Sequence, residues 1–281
     1  MFNEIFLTGI IQGLILSFVA YGVMLPFRIL DFPDLTAEGA YPLGGTVCAS
    51  SLLFGFPPLS ATIFGGIAAG LLAMGTAWAH LKLKVNTLLA GIILSTMVYS
   101  INLRLMGKPN LALFQQLNLF NPSSWEQNTI LLIIFLVLTA LPLFLFLQTE
   151  VGLKMRSVGF NPFFAKRQNI NVAKFTYFGL FIAGCFTGLS GSLMVQYQSY
   201  MDIGMGVGIV IHALAALMIG EAIIGTASLK QQLLAPLVGA MLYHQIQGLV
   251  FALGLAPTDL KFFTGALVLI VIGIKRCSNI L

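Results

Sequence analysis

Long apolar runs separated by short polar connections dominate this sequence. Eight of the runs are long enough to form membrane-spanning helices: 5–25, 58–79, 87–106, 129–147, 175–195, 207–225, 233–254 and 262–274. A ninth run, 41–56, is short and rich in glycine, so it could either span the bilayer or re-enter it. Because apolar and polar residues do not alternate, the pattern favours helices over a membrane β-barrel. The sequence predicts an all-α, polytopic helical bundle of about nine transmembrane helices.

The composition places this bundle in lipid. Of 281 residues, 58% are hydrophobic and 8% are charged. So few charges cannot cover a water-soluble domain of this length, which excludes a cytosolic enzyme, a secreted domain and a disordered chain. The net charge of +5 is typical of bases held on the cytoplasmic side and does not indicate nucleic-acid binding. We expect one transmembrane domain over residues 1–281.

The positions of Lys and Arg predict which connections face the cytoplasm. With nine spans and a cytoplasmic C-terminus, the inside receives Arg28, Lys82, Lys84, Lys154, Arg156, Lys166, Arg167, Lys174, Lys230, Lys275 and Arg276, and the outside keeps Arg104, Lys108 and Lys261. If 41–56 re-enters instead, only Arg28 changes side and the N-terminus moves inside. The orientation of the C-terminal half is therefore the same in both arrangements. We favour nine spans with an external N-terminus, since residues 1–7 carry an acid and no base.

The connection 150–174 combines positive charge with aromatic residues. Its one acid, Glu150, faces five bases: Lys154, Arg156, Lys166, Arg167 and Lys174. Asn161 and Pro162 predict a helix start, because Asn accepts hydrogen bonds from free amides and Pro is tolerated at the first helical position. Phe163 and Phe164 follow and are costly to expose to water. The sequence therefore predicts a short cytoplasmic helix that docks on a partner, with a helix lying on the bilayer surface as the alternative.

The same connection resembles a known family. Its residues VGLKMRSVGFNPFFA, followed by NINV, are similar to the approximate pattern G-x-x-x-R-A-x-G-x-N-x-x-A-x-x-x-G-I-N of ATP-binding-cassette (ABC) importer permeases of the branched-chain amino acid and ribose type. The stretches 188–191 and 30–39 resemble a small-residue segment and the D-L-[ST]-x-[EG]-G stretch of that family. The resemblance spans nearly the whole chain and is strongest to the compact subgroup paired with tryptophan- or tyrosine-type binding proteins. Ser157 and Asn169 depart from the pattern, which has Ala and Gly there.

The resemblance implies a permease subunit that imports a small organic solute. The subgroup suggests an amino acid, with aromatic ones included, and a nucleoside, a sugar or another small organic solute stays open. It implies a second permease copy, identical or similar, a cytoplasmic ATPase and an external solute-binding protein. The residues that it assigns to the ATPase contact are Arg156, Asn161, Pro162, Phe163, Phe164, Lys166 and Arg167. The chain has no G-x-x-x-x-G-K-[ST] motif, so ATP and magnesium are expected on the ATPase, no cofactor is expected here, and the chain is not expected to be an enzyme.

Polar side chains inside the predicted spans are candidates for lining a substrate path, since lipid exposure would be costly. The candidates are Asn102, Asp202, His212, Glu221, His244 and Gln247. His244 and Gln247 share one helical face and are the first choice, with plain interhelical hydrogen bonding as the alternative. Glu221 is predicted to belong to an inner gate or to pair with a base such as Lys230. Acids beside glycines precede two helix starts, at Glu38 and Asp202, which weakly indicates two inverted halves.

The connection 107–128 is predicted to lie outside, as a plain interfacial loop or as a docking surface for an external partner.

Two other functions compete with the importer. An ion-coupled secondary transporter would use Asp202, Glu221 and His212 as its ion site. An intramembrane enzyme is disfavoured, because His80, His212 and His244 lie on separate segments without metal-ligand spacing.

Overall fold

The computed structural model describes residues 2–121 and 124–252, with a few positions between 262 and 273. Its helices are α1 Phe2–Met24, α2 Ala37–Leu53, α3 Pro58–Leu83, α4 Thr87–Met106, α5 Trp125–Gln148, α6 Glu150–Phe160, α7 Pro162–Arg167, α8 Val172–Gln198, α9 Ile209–Ile224 and α10 Leu229–Ala252. A π-helical turn, Leu25–Ile29, continues α1. The predicted run 262–274 and the C-terminal orientation lie outside the described residues.

Among the residues that the structure describes, six helices are long and apolar enough to cross a membrane. They fall within Ile5–Ile29, Pro58–Leu83, Thr87–Met106, Trp125–Gln148, Val172–Gln198 and Leu229–Val250. These segments confirm six of the predicted runs and the helical-bundle fold. The predicted run 207–225 contains the shorter apolar helix α9. α1 lies at the centre, because 83% of its most apolar window is buried, against 22% for both α4 and α5.

Residues 41–53 of the glycine-rich run 41–56 lie in α2, which has 17 residues. Tyr41 packs against Gly191 of α8, and the Cys48 sulfur accepts a hydrogen bond from Gln196 Nε2 at 3.3 Å, further along α8. α2 therefore runs parallel to α8, with its two ends towards opposite ends of the bundle. This direction favours the span over the re-entrant alternative. The number of spans stays a prediction.

Glycines bring α3 and α8 into close contact. A Cβ at Gly188 would meet the Ala69 side chain and lie 2.7 Å from the Gly65 carbonyl oxygen. A Cβ at Gly184 would lie 2.5 Å from the Ala69 carbonyl oxygen. The two backbones approach because side chains are absent at these positions.

We expect Gly188→Ala to destabilise the bundle by about 1–3 kcal/mol, because the added methyl group forces α3 and α8 apart. The matched control is Gly75→Ala, where the new Cβ would lie 3.3 Å from Leu94 Cδ1, the end of a flexible side chain. That control should be neutral or slightly stabilising, since alanine favours helix over glycine. Thermal unfolding of both variants in detergent compares them directly, and equal melting temperatures would contradict the close-contact argument.

Two short strands, which the sequence analysis did not predict, join distant connections. β1 Asn110–Ala112 pairs antiparallel with β2 Tyr200–Asp202, with Asn110 opposite Asp202 and Ala112 opposite Tyr200. The ribbon ties the connection 107–128 to the segment that leads into α9. Its residues therefore lie at one end of the bundle.

Candidate functional site

The predicted docking helix is present as α7. Asn161 is its N-cap, with its side-chain oxygen accepting from the Phe164 backbone N–H at 3.0 Å, and Pro162 is the first helical residue. Phe163 is 83% exposed and Phe164 55%, while Ala165 is fully buried. The structure adds a third aromatic residue, Phe160, which is 94% exposed. The helix therefore exposes its aromatic rings, while the opposite side, with Ala165, packs against the protein.

The residues of the family-like pattern around α7 have local structural roles. A Cβ at Gly159 would collide with the Ile29 carbonyl, so α6 packs directly on the π-helical turn. Asn169 has φ +60, a left-handed conformation that glycine and asparagine adopt most readily. Asn169 therefore replaces the glycine of the family pattern without requiring a different backbone conformation. Asn171 caps α8 by accepting from the Lys174 N–H at 3.1 Å.

A groove of about 690 Å³ lies between this segment and the π-helical turn. Arg28 and Asp31 line one side, and Arg156, Phe160 and Phe164 line the other. Lys166 and Arg167 are exposed at the end of α7. The surface thus combines aromatic rings with positive charge. It would complement a groove on a partner protein that has apolar pockets and an acidic rim.

Glu221 pairs with a base, as one of the two predicted alternatives expected, but the base is Arg28 where Lys230 was the example given. Arg28 Nε donates to Glu221 Oε1 and Nη2 donates to Oε2, both at 2.6 Å. The Glu221 side chain is 3% exposed and that of Arg28 is 45% exposed. Because Arg28 is one residue from Ile29, the ion pair links α9 to the turn on which Gly159 rests. The sequence analysis placed Arg28 only by its charge and missed this partner 193 residues away.

The polar residues of α9 and α10 form a hydrogen-bonded chain. The Tyr243 hydroxyl lies 2.7 Å from His212 Nδ1 and accepts from Gln247 Nε2 at 2.7 Å. His244 is half-buried, with its ring edge against Tyr243 at a centroid distance of 5.7 Å. The contact between Tyr243 and His212 joins α9 to α10, whereas the bond that Gln247 donates to Tyr243 lies within α10. A role for these residues in a substrate path stays a prediction.

Asp202 lies in β2 and bonds locally. Its Oδ1 accepts from the Gly204 N–H at 2.5 Å, and with the Asn110 amide turned to suit its neighbours, Asn110 donates to Asp202 Oδ2 at 2.7 Å. Asp202 therefore secures the ribbon and the turn after it. Its predicted place in a substrate path is likewise untested.

The stretch 34–39 orients the start of α2. Asp34 Oδ1 accepts from the Thr36 N–H at 2.8 Å, and the Thr36 hydroxyl lies 2.6 Å from that of Thr76 on α3. Glu38 follows, and its Oε1 accepts from the Gly208 N–H at 3.3 Å. The starts of α2 and α9, which both follow or contain an acid beside glycines, are therefore in contact. Asn102 of α4 lines the same pocket as Glu38.

Comparison with protein families gives a match over residues 5–272. The matching family is the permease component of branched-chain amino acid transport systems. The tyrosine transport system permease protein of Clostridioides difficile is 36% identical over 92% of this chain and 87% of that protein. An uncharacterised protein of Rickettsia prowazekii is 30% identical over 97% of this chain and 99% of its own length. These matches bear out the resemblance seen in the connection 150–174.

Two further similarities are more limited. A guanosine ABC transporter permease protein of Bacillus subtilis is 36% identical over 32% of this chain and 28% of that protein. Among solved structures, a metal-chelate-type ABC transporter in an inward-facing conformation matches with a TM-score of 0.53 and 16% identity, over 96% of this chain and 83% of that chain. The structural match shows the fold alone.

Proposed function

This chain belongs to the family of permease components of branched-chain amino acid transport systems, and from that premise we propose that it imports an amino acid, with an aromatic amino acid such as tyrosine as the first candidate. It is a multi-pass membrane permease subunit of an ABC transporter, and such a subunit works with an ATPase and a binding protein. The proposal of an amino acid as the transported solute rests on the 36% identity to a tyrosine transport permease over most of both chains.

We assign the ATPase contact to the segment 150–174. Its support is the capped helix α7 with its exposed Phe163 and Phe164, and the bases Arg156, Lys166 and Arg167 around it. ATP and magnesium would be bound by the ATPase, since this chain has no nucleotide-binding motif. Because α6 packs on the turn that carries Arg28, a movement of the docked segment would reach the Arg28–Glu221 ion pair as a near-rigid shift.

The docking assignment orients the other parts of the chain in the cell membrane. The end of the bundle that holds α6 and α7 would face the cytoplasm, together with the C-terminus. The opposite end, with the strand ribbon and the connection 107–128, would then face outward with the N-terminus and receive the external binding protein.

A second permease copy would lie against α4. α4 and α5 are equally exposed, but their exposed faces differ in polarity. α5 has a mean hydropathy of 3.1 in its most apolar window, whereas α4 has 1.6 and exposes Thr96, Tyr99 and Ser100. Hydroxyl-bearing faces favour helix partners over lipid. We therefore propose α5 as lipid-facing and α4 as the face towards the second copy, identical or similar.

The test of this function is the energy source of uptake in proteoliposomes that contain the permease, its ATPase and its binding protein. We expect ATP-dependent uptake of L-tyrosine that continues when ionophores collapse the ion gradients. Uptake that stops with the gradients would contradict the proposal and favour the ion-coupled alternative. Guanosine, offered to the same proteoliposomes, tests the nucleoside cargo suggested by the shorter match.

A further inference from the structure

A pocket lies between α2, α4 and the connection from β2 to α9. Its volume is about 310 Å³, at the lower end of the range for small-molecule sites. Gly39, near the start of α2, packs against Ser95, near the middle of α4. The pocket therefore extends from about the middle of α4 towards the end of the bundle that holds the strand ribbon.

Asn102 brings an unsatisfied amide to this pocket. The residue is 1% exposed, and neither Nδ2 nor Oδ1 has a hydrogen-bond partner in the part of the chain that the structure describes. Burying an amide without partners is unfavourable, and buried polar groups are rarely left in that state. A bound molecule that both accepts and donates hydrogen bonds would satisfy the two amide atoms.

Glu38 brings a carboxylate to the same pocket. α2 begins at Ala37 and α9 at Ile209, so the positive ends of two helix dipoles lie beside this side chain. Its Oε1 accepts from the Gly208 N–H at 3.3 Å. Within the described ranges, Oε2 has no hydrogen-bond partner and is available to a ligand.

The lining of the pocket indicates the chemical class of that ligand. No Lys or Arg is among the lining residues, and Pro42, Val98 and Val207 form apolar walls. An ammonium group could donate to Glu38 and to Asn102 Oδ1, while a carboxylate could accept from Asn102 Nδ2. A molecule with both groups and an apolar body fits this arrangement of polar atoms.

We propose that this pocket is a station in the translocation path that binds a zwitterionic amino acid, with Glu38 holding its ammonium group and Asn102 its carboxylate. The inference rests on the proposed function, since it assumes that the chain imports an amino acid. It also gives a reason for the contact between the two helix starts, which together place the carboxylate in the pocket.

The test is uptake of radiolabelled L-tyrosine into proteoliposomes that contain the permease, its ATPase and its binding protein. Asn102→Leu and Glu38→Gln should each lower the uptake rate about tenfold or more, the usual size of a lost hydrogen bond to a charged group. Asn102→Leu should keep or raise the melting temperature, because it loses no hydrogen bond within the protein. In Glu38→Gln the amide oxygen of the new side chain could still accept from the Gly208 N–H, so this variant tests the charge with the fold preserved.

The matched control is Ser50→Ala, which removes another buried and unsatisfied polar atom, Ser50 Oγ, away from the pocket. It should leave both stability and uptake unchanged. Normal uptake by Asn102→Leu and Glu38→Gln, or a marked loss of stability in Asn102→Leu, would overturn the pocket proposal alone. Absence of ATP-driven uptake of tyrosine and other amino acids by the wild-type complex would overturn the proposed function and this inference with it.

Discussion

Replacing Phe163 and Phe164 together by alanine is expected to separate this permease from its ATPase while leaving the bundle folded. Both side chains are exposed, 83% and 55%, so their removal costs little stability. Burying one phenylalanine side chain contributes about 1.5–3 kcal/mol, so losing two should weaken docking by about 100-fold or more. Co-purification of the ATPase with the tagged permease, and ATP-driven uptake, should both fall to background.

A double substitution at the other end of the bundle controls for the loss of exposed apolar surface. Phe114 is 75% exposed and Leu117 is 79% exposed, and both lie in the connection 107–128. Phe114→Ala with Leu117→Ala should therefore retain the ATPase in the same pull-down. If the Phe163 and Phe164 variant keeps its ATPase and its uptake, α7 is not the docking helix.

Removing Arg28 alone is expected to destabilise the protein. Arg28→Ala takes the bidentate partner from the Glu221 carboxylate, whose side chain is 3% exposed. Breaking one side of a fully buried ion pair costs about 3–5 kcal/mol, and because the Arg28 side chain is 45% exposed we expect a smaller loss here, about 1–3 kcal/mol. Replacing both sides with apolar residues is often neutral. We therefore expect Arg28→Met with Glu221→Leu to recover most of the stability lost in Arg28→Ala.

Thermal unfolding in detergent of the wild type, Arg28→Met, Glu221→Leu and the variant with both substitutions forms the double-mutant cycle. Lys230→Met is the control for general loss of positive charge, because Lys230 is an exposed base at the start of α10, and its melting temperature should match that of the wild type. Additive effects of the Arg28 and Glu221 substitutions would show that the ion pair contributes no coupling energy. The double variant cannot form the ion pair, so its rate of uptake shows whether the pair is also needed for transport.

The sequence by itself determined the parts of this protein that depend on local chemistry. Apolar runs of about 20 residues form helices in lipid whatever surrounds them. Asn161 and Pro162 start a helix through bonds made within three residues, so α7 was predictable, as was its exposed aromatic pair. The family pattern was recognisable for the same reason, because Asn169 and Asn171 fill backbone positions set by neighbouring residues.

Only the tertiary structure decided which polar groups meet. Arg28 and Glu221, Glu38 and Gly208, and Asn110 and Asp202 each join distant parts of the chain. Charge predicted a partner for Glu221 but not which base, because helix packing and not sequence spacing sets the distance between side chains on different helices. The same packing buries Asn102 beside Glu38 with no hydrogen-bond partner among the described residues, so the pocket became visible only when α2, α4 and α9 were placed together.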